Sequence, residues 1–235
     1  FKEMGEIDGV NWDTIFEDAY FDQKAIDYTQ WLLHYTKGNG GKPEKLFESL
    51  PARIFADMRL GPSRIKFLPK KKWPAKSIVF YCGQNTSPWG PEYLDEDGVG
   101  GSEEAVIYLS RELAKLGWDV TVFNEREEFY RDIIDPEKHP HNSVVDYWPW
   151  TLFNPQAEFD VFVGWRLSGL TRDIKARVRA IDLHDTPIGH ASITNATMEH
   201  TDLFFFKSKF QTEYAKVPKA KTVIVGNGIV KGQFK

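Results

Sequence analysis

A single cysteine, Cys82, in a chain of 235 residues excludes an internal disulfide and fits a reducing compartment. Set in an apolar run, it reads as a small buried hydrophobe before it reads as a nucleophile. No apolar stretch approaches the ~18 residues of a membrane-spanning helix, and no leader pattern is visible. These residues are therefore expected neither to span a membrane nor to direct export, and a cytoplasmic setting is expected. Neither sign of charge dominates: 30 Lys and Arg against 34 Asp and Glu leave a net charge of −4, with no general pull toward nucleic acid. His139 and His141 have no Cys or acid at ligand spacing, so no metal is expected. The sequence opens on Phe1 and not on Met, and is expected to be an excised or processed piece.

What is present suits one substantial core with a small appendage, at 41% hydrophobic and 27% charged residues. Residues 1–50 form a helical extension. Trp12, Ile15, Phe16, Ala19 and Tyr20 have helical spacing, and Ala25, Tyr28, Thr29, Leu32 and Leu33 suggest a second helix. Gly38-Asn-Gly-Gly-Lys-Pro43 then breaks the chain before a short third helix within Pro43–Leu50. Residues 51–76 are expected to be an extended linker, kept so by Pro51, Pro62, Pro69 and Pro74. Lys70-Lys-Lys-Trp73 within it reads as a solvated segment, with weak peripheral contact to an anionic membrane as the alternative.

The chain is organised around Gly98–Gly117. Gly98, Gly100 and Gly101 run directly into a helix whose Val106, Leu109, Leu113 and Leu116 form an apolar stripe. Ser102 is placed to cap it, Glu103 and Glu104 suit its dipole, and Gly117 ends it. Ahead lies the strand-like Ser77–Cys82, and behind lies Asp119–Phe123, making a strand–helix–strand unit. A dinucleotide fingerprint would place a third glycine where Glu103 stands and would start at the strand end, so that fold is disfavoured. The glycines either make a tight connection or let backbone N–H groups approach an anion. The intervening loop, Gly83–Asp97, carries Trp89 and Tyr93, flat faces suited to a sugar, and the alternative for it is a lid packed on itself.

Four further strands follow. Asp160–Trp165 ends at Arg166, which can meet a phosphate or carboxylate or can form a structural ion pair. Val178–Leu183 ends in His184-Asp185-Thr-Pro, at the carboxyl end of a parallel strand where doubly wound folds do chemistry. Leu203–Phe206 leads through Ser208 into a helix to Ala215, and Thr222–Val225 precedes Gly226-Asn-Gly-Ile229.

The loop ending Gly-Gly-Ser-Glu, the helix ending Leu-Ala-Lys-Leu-Gly, the Val-Thr-Val strand, His184 at its strand end and the closing Asn227-Gly228 together resemble the N-terminal, acceptor-side half of a GT-B glycosyltransferase of the retaining group called GT4. The resemblance covers about residues 77–230. It implies an α/β, Rossmann-like, doubly wound and mainly parallel sheet over 77–235 with helices on both faces. It also implies a donor-binding C-terminal domain that lies outside this chain, so that the fragment alone is expected to bind donor weakly and to be inactive. Its implied roles are His184 and Asp185 as catalytic residues, Gly100, Gly101 and Ser102 on the donor diphosphate, Trp89, Tyr93 and Arg166 on the acceptor or sugar, and Asn227 and Gly228 as the hinge. The implied reaction passes a sugar from a nucleotide sugar to a hydroxyl acceptor such as a glycan, with retention and without metal or cofactor. The alternative is a non-catalytic module that binds glycan or scaffolds a larger enzyme.

Overall fold

The computed structural model describes residues 19–94, 98–134, 143–186 and 193–226. The chain divides into two compact units, Phe1–Lys70 and Lys71–Lys235. In the first, one long helix, α1 (Ala19–Gly38), stands where a helix beginning near Ala25 was expected. It is followed by α2 (Pro43–Phe47), α3 (Ala52–Ala56), a 3-10 turn at Met58–Leu60 and α4 (Gly61–Phe67). Ala25 and Ile26 of α1 pack on Ile54 and Leu60. Residues 52–67, expected to be extended, are thus largely helical. Pro51 and Pro62 do not oppose this, because each stands at the start of a helix, where a missing N–H costs no hydrogen bond.

The second unit is an α/β layer built on one sheet of eight strands: β1 (Ser77–Tyr81), β2 (Asp119–Asn124), β3 (Tyr130–Ile133), β4 (Val144–Pro149), β5 (Glu158–Trp165), β6 (Lys175–Leu183), β7 (Leu203–Phe206) and β8 (Thr222–Ile224). Their spatial order is 3-4-2-1-5-6-7-8, and every neighbouring pair is parallel except β3 with β4. The central strands are near-continuous apolar runs, as strands covered on both faces require. Strands β3 and β4 fall in the region where the sequence pattern weakens. Here β4 alternates, with Val145, Tyr147 and Pro149 buried, while β3 is an edge strand with little apolar content of its own.

Among the described residues, the α-helices of the unit are α5 (Gly101–Lys115), α6 (Asn195–His200) and α7 (Lys209–Ala215). On one face Val106, Ile107 and Ala114 of α5 pack with Ile78, Phe80, Val120, Val122, Val145, Tyr147, Val163 and Ala180. On the opposite face Ile181, Leu183, Phe204 and Phe206 meet Met198 of α6 and Ala215 of α7. The buried stripe of α5 is Glu103, Val106, Ile107, Ser110 and Ala114. Leu109 and Leu116, counted as core from spacing, are 44% and 70% exposed. The sheet lies about one residue step around the helix from the all-leucine stripe, so a polar Ser110 goes inside. Ser208 caps α7 as a full capping box with Gln211, in agreement with the expected Ser-led helix.

Candidate functional site

Chain order reverses between β1 and β5: β2 lies on one side of β1, and β5 on the other. The loops leaving the carboxyl ends of such a pair diverge, and the crevice between them is the usual ligand site of open parallel sheets. Register fixes which side chains reach it on the α5 face. Trp165 is opposite Asp182, and Asp182 is opposite Phe205. Cys82, two residues beyond Phe80, and His184 and Lys207, each two residues further along their own chains, keep to the same side by strand alternation. Above this row stand the N-terminus of α5 and the loop that begins at Gly83.

Of the residues expected to bind phosphate, Gly100 is the N-cap of α5 and Gly101 its first residue. Ser102 is inside the helix and not its cap, because the glycine ahead of it already takes the extended cap conformation. Its hydroxyl donates to Glu103 Oε2 at 2.7 Å. Glu103, valued in the sequence only for its sign, turns back over the helix end. It is 8% exposed, accepts from Asn85 Nδ2 at 2.9 Å, and lies so close to Gly100 that a Cβ there would overlap its Oε2. The place where an incoming anion would meet the first amides of α5 therefore already holds a carboxylate of the chain itself.

Arg166 is the cation beside that carboxylate. Its NH1 lies 3.9 Å from Glu103 Oε1, its Nε donates to Asp185 Oδ2 at 2.6 Å, and its guanidinium stands 5.0 Å from the Trp165 ring centre. Its backbone holds φ at 61°, a left-handed conformation rare outside glycine, and its N–H donates to Asp182 O at 2.8 Å. Arg166 thus joins the two readings left open for it, being paired with two carboxylates and facing the crevice.

His184 and Asp185, neighbours in sequence, part company. Asp185 is half exposed and serves Arg166. The His184 ring is 3% exposed, and its Nε2 lies 3.1 Å from Oδ2 of Asp182. Lys207 Nζ sits 2.7 Å from the other oxygen, Oδ1, in an ion contact. Burial pushes the Asp182 carboxyl up, but the hydrogen bond from His184 and the charge of Lys207 outweigh it and hold the group below its ordinary value. Trp165 lies 5.8 Å from the His184 ring and 5.8 Å from Trp89. The Cys82 thiol is pushed well up by burial, then by Asp182 and Glu103, so it is an inert thiol at neutral pH.

Trp89, expected to offer a face to a sugar, is 2% exposed and packs on Trp165 instead. The reason is that its loop is tied to the end of β2. Trp89 N donates to Glu125 O, Asn124 Nδ2 donates to Trp89 O, Asn85 N donates to Glu125 Oε2, and Arg126 pairs with Glu92 at 2.6 Å. Tyr93 is half-buried in the same loop. Asn227 and Gly228, the expected hinge, lie outside the described residues, as do Asp95, Glu96 and Asp97. That last triplet is an Asp-x-Asp spacing, a cation-binding pattern passed over in expecting no metal. Among the described residues no group of three or more His, Cys, Asp or Glu is placed to hold a metal ion, and no helix is long and apolar enough to cross a membrane.

Sequence reasoning missed Asp182, Lys207, Trp165 and the inward turn of Glu103. For the first of these a signal existed: residues two apart on a strand share a face, so Asp182-x-His184 was the pair to weigh, not His184-Asp185. The class that fold and site define is an α/β protein with a polar crevice at the reversal point of a mainly parallel sheet. Comparison of the chain with protein-family models, with curated proteins and with solved structures gives no match.

Proposed function

We propose that this chain is the acceptor-side half of a GT-B glycosyltransferase, a doubly wound unit that passes a sugar from a nucleotide sugar to a hydroxyl acceptor with retention, in the cytoplasm and together with a donor-binding domain. The observation that carries the proposal is the meeting, at the β1–β5 reversal point, of a glycine-led helix end, the Arg166 guanidinium and the His184 imidazole. Transfer places growing negative charge on the departing diphosphate. Preorganised amides and a guanidinium are what stabilise such charge without reorganising. In this reading Glu103 holds Arg166 in place and gives way to the diphosphate. His184 takes a hydrogen bond from the sugar, Asp185 orients Arg166, and Tyr93 remains the aromatic residue of the loop open to an acceptor.

Titration of the chain with a panel of nucleoside diphosphates and their sugars, read by tryptophan fluorescence in wild type and in Trp165→Phe, tests this. A saturable change that Trp165→Phe abolishes and Arg166→Ala weakens is expected, and the chain joined to a donor-binding domain should give a product with retained anomeric configuration. No response to any member of the panel at millimolar concentration would refute it.

One observation favours the second reading, a non-catalytic glycan-binding or scaffolding module. The α5 end is closed by Glu103, and Trp89 and the His184 ring are buried, as in a site that no longer turns over. Glycan binding without any nucleotide response would decide for it.

A further inference from the structure

Three polar groups line up at the crevice, two buried and one half-buried: the His184 ring, the Asp182 carboxylate and the Lys207 ammonium, with side chains 3%, 6% and 16% exposed. An ionised carboxylate can only accept hydrogen bonds, so Nε2 of His184 must carry the hydrogen that faces Asp182 Oδ2. The other ring nitrogen, Nδ1, is fully buried and has no hydrogen-bond partner among the described residues. A proton there would leave a buried N–H with no acceptor, which is costly. It would also put a second cation on a carboxylate that Lys207 already balances. The remaining charged groups near the row do not change this balance. Arg166, from the end of β5, is matched by Glu103 of α5 and by Asp185, and Cys82, from the end of β1, stays a thiol.

We propose that Asp182 and Lys207 are positioning residues: as a fixed carboxylate–ammonium pair they hold His184 in its Nε2–H form, so that Nδ1 is a standing hydrogen-bond acceptor for a ligand hydroxyl. The ligand half of the statement rests on the function proposed above, whereas the tautomer half does not. The adjacent Trp165 supports a hydroxyl as the missing partner. Its Nε1–H is also buried and unpartnered among the described residues, and a hydroxyl both accepts and donates. A purely accepting ligand group, such as an ionised carboxylate, could not satisfy Nδ1. The pairing gives Asp182 a role that a merely structural buried acid would not have, since the state of the ring depends on the charge of Lys207, one residue beyond β7.

The test is long-range proton–nitrogen NMR of the whole chain labelled at histidine, with His184 assigned through His184→Gln. At pH 7 we expect Nε2 at the shift of a protonated nitrogen and Nδ1 at that of a bare one. Lys207→Met, which leaves the Asp182 carboxylate without its ammonium partner, should move Nδ1 toward the protonated shift under the same conditions, and Lys207→Arg should restore the wild-type spectrum. A melting curve for each variant separates this from loss of fold. A proton on Nδ1 in the wild type, or a Lys207→Met spectrum identical to it, would overturn the inference. The same spectra in the presence of a nucleotide sugar read the ligand half. A chain with the stated tautomer whose Nδ1 responds to no such sugar keeps the pairing and sinks the transferase reading and the hydroxyl acceptor role with it.

Discussion

Replacing Glu103 by Gln should turn the end of α5 from a closed anion site into an open one. The carboxylate that lies against Gly100 occupies the ground where a phosphoryl group would meet the first amides of the helix. Two unit charges about 4 Å apart at an effective dielectric constant of about 20 interact by about 4 kcal/mol. Arg166, 3.9 Å from Glu103 Oε1, offsets part of that repulsion, and salt screens more. A net gain of about 1.4–2.8 kcal/mol, or roughly 10–100-fold tighter binding, is what remains. Gln still accepts from Asn85 through Oε1 and can donate through Nε2 to the Ser102 hydroxyl, but neither bond is charge-assisted any longer, so a loss of stability of about 1 kcal/mol accompanies the gain. Calorimetric titration with pyrophosphate at low salt reads the affinity directly, and adding Arg166→Ala should cancel the gain. Equal or weaker pyrophosphate binding by Glu103→Gln would show that anions do not land at this helix end, and the phosphate role of Gly100, Gly101 and Ser102 would fall with it.

Other outcomes follow from the same geometry. Asp182→Asn breaks a buried ion pair and should cost about 3 kcal/mol at pH 7 in urea unfolding. Because the folded carboxyl is held below its ordinary value, the stability it contributes is complete above about pH 4 and is lost as pH falls through the folded value. The deficit of the variant should therefore persist at pH 5 and shrink at pH 3, and a deficit independent of pH would contradict the ion pair. Gly164→Ala should destabilise by about 1–3 kcal/mol, since its Cβ would lie 2.8 Å from the carbonyl oxygen of Leu167, a backbone atom that cannot swing aside. A melting temperature unchanged by that substitution would argue against the tight turn that carries Arg166. Cys82 should not react with Ellman's reagent until the protein is unfolded, because it is buried and its thiol is pushed well up. Prompt labelling of the native chain would mean that the row of residues at the sheet end is open to solvent.

The local features of the chain are written in short stretches of it. Apolar, β-branched and aromatic runs mark β1, β2, β5, β6, β7 and β8, and Ser208 with Gln211 marks the start of α7, because strand propensity and capping depend on residues within a few positions of each other. Gly98, Gly100 and Gly101 announce the start of α5 for the same reason. Only the tertiary structure decided which side of α5 faces the sheet, since Leu109 and Ile107 are equally apolar and the sheet chooses between them by where it lies. It also made strands of Tyr130–Ile133 and Val144–Pro149, since the second pairs with β2 and the first only with the second. The site depends most on such choices. His184 meets Asp182 by strand alternation over two positions, but Asp182 meets Lys207 and Glu103 meets Arg166 only through parallel register and helix placement, and electrostatic partners separated by 25 or 63 positions carry no local signal in the chain.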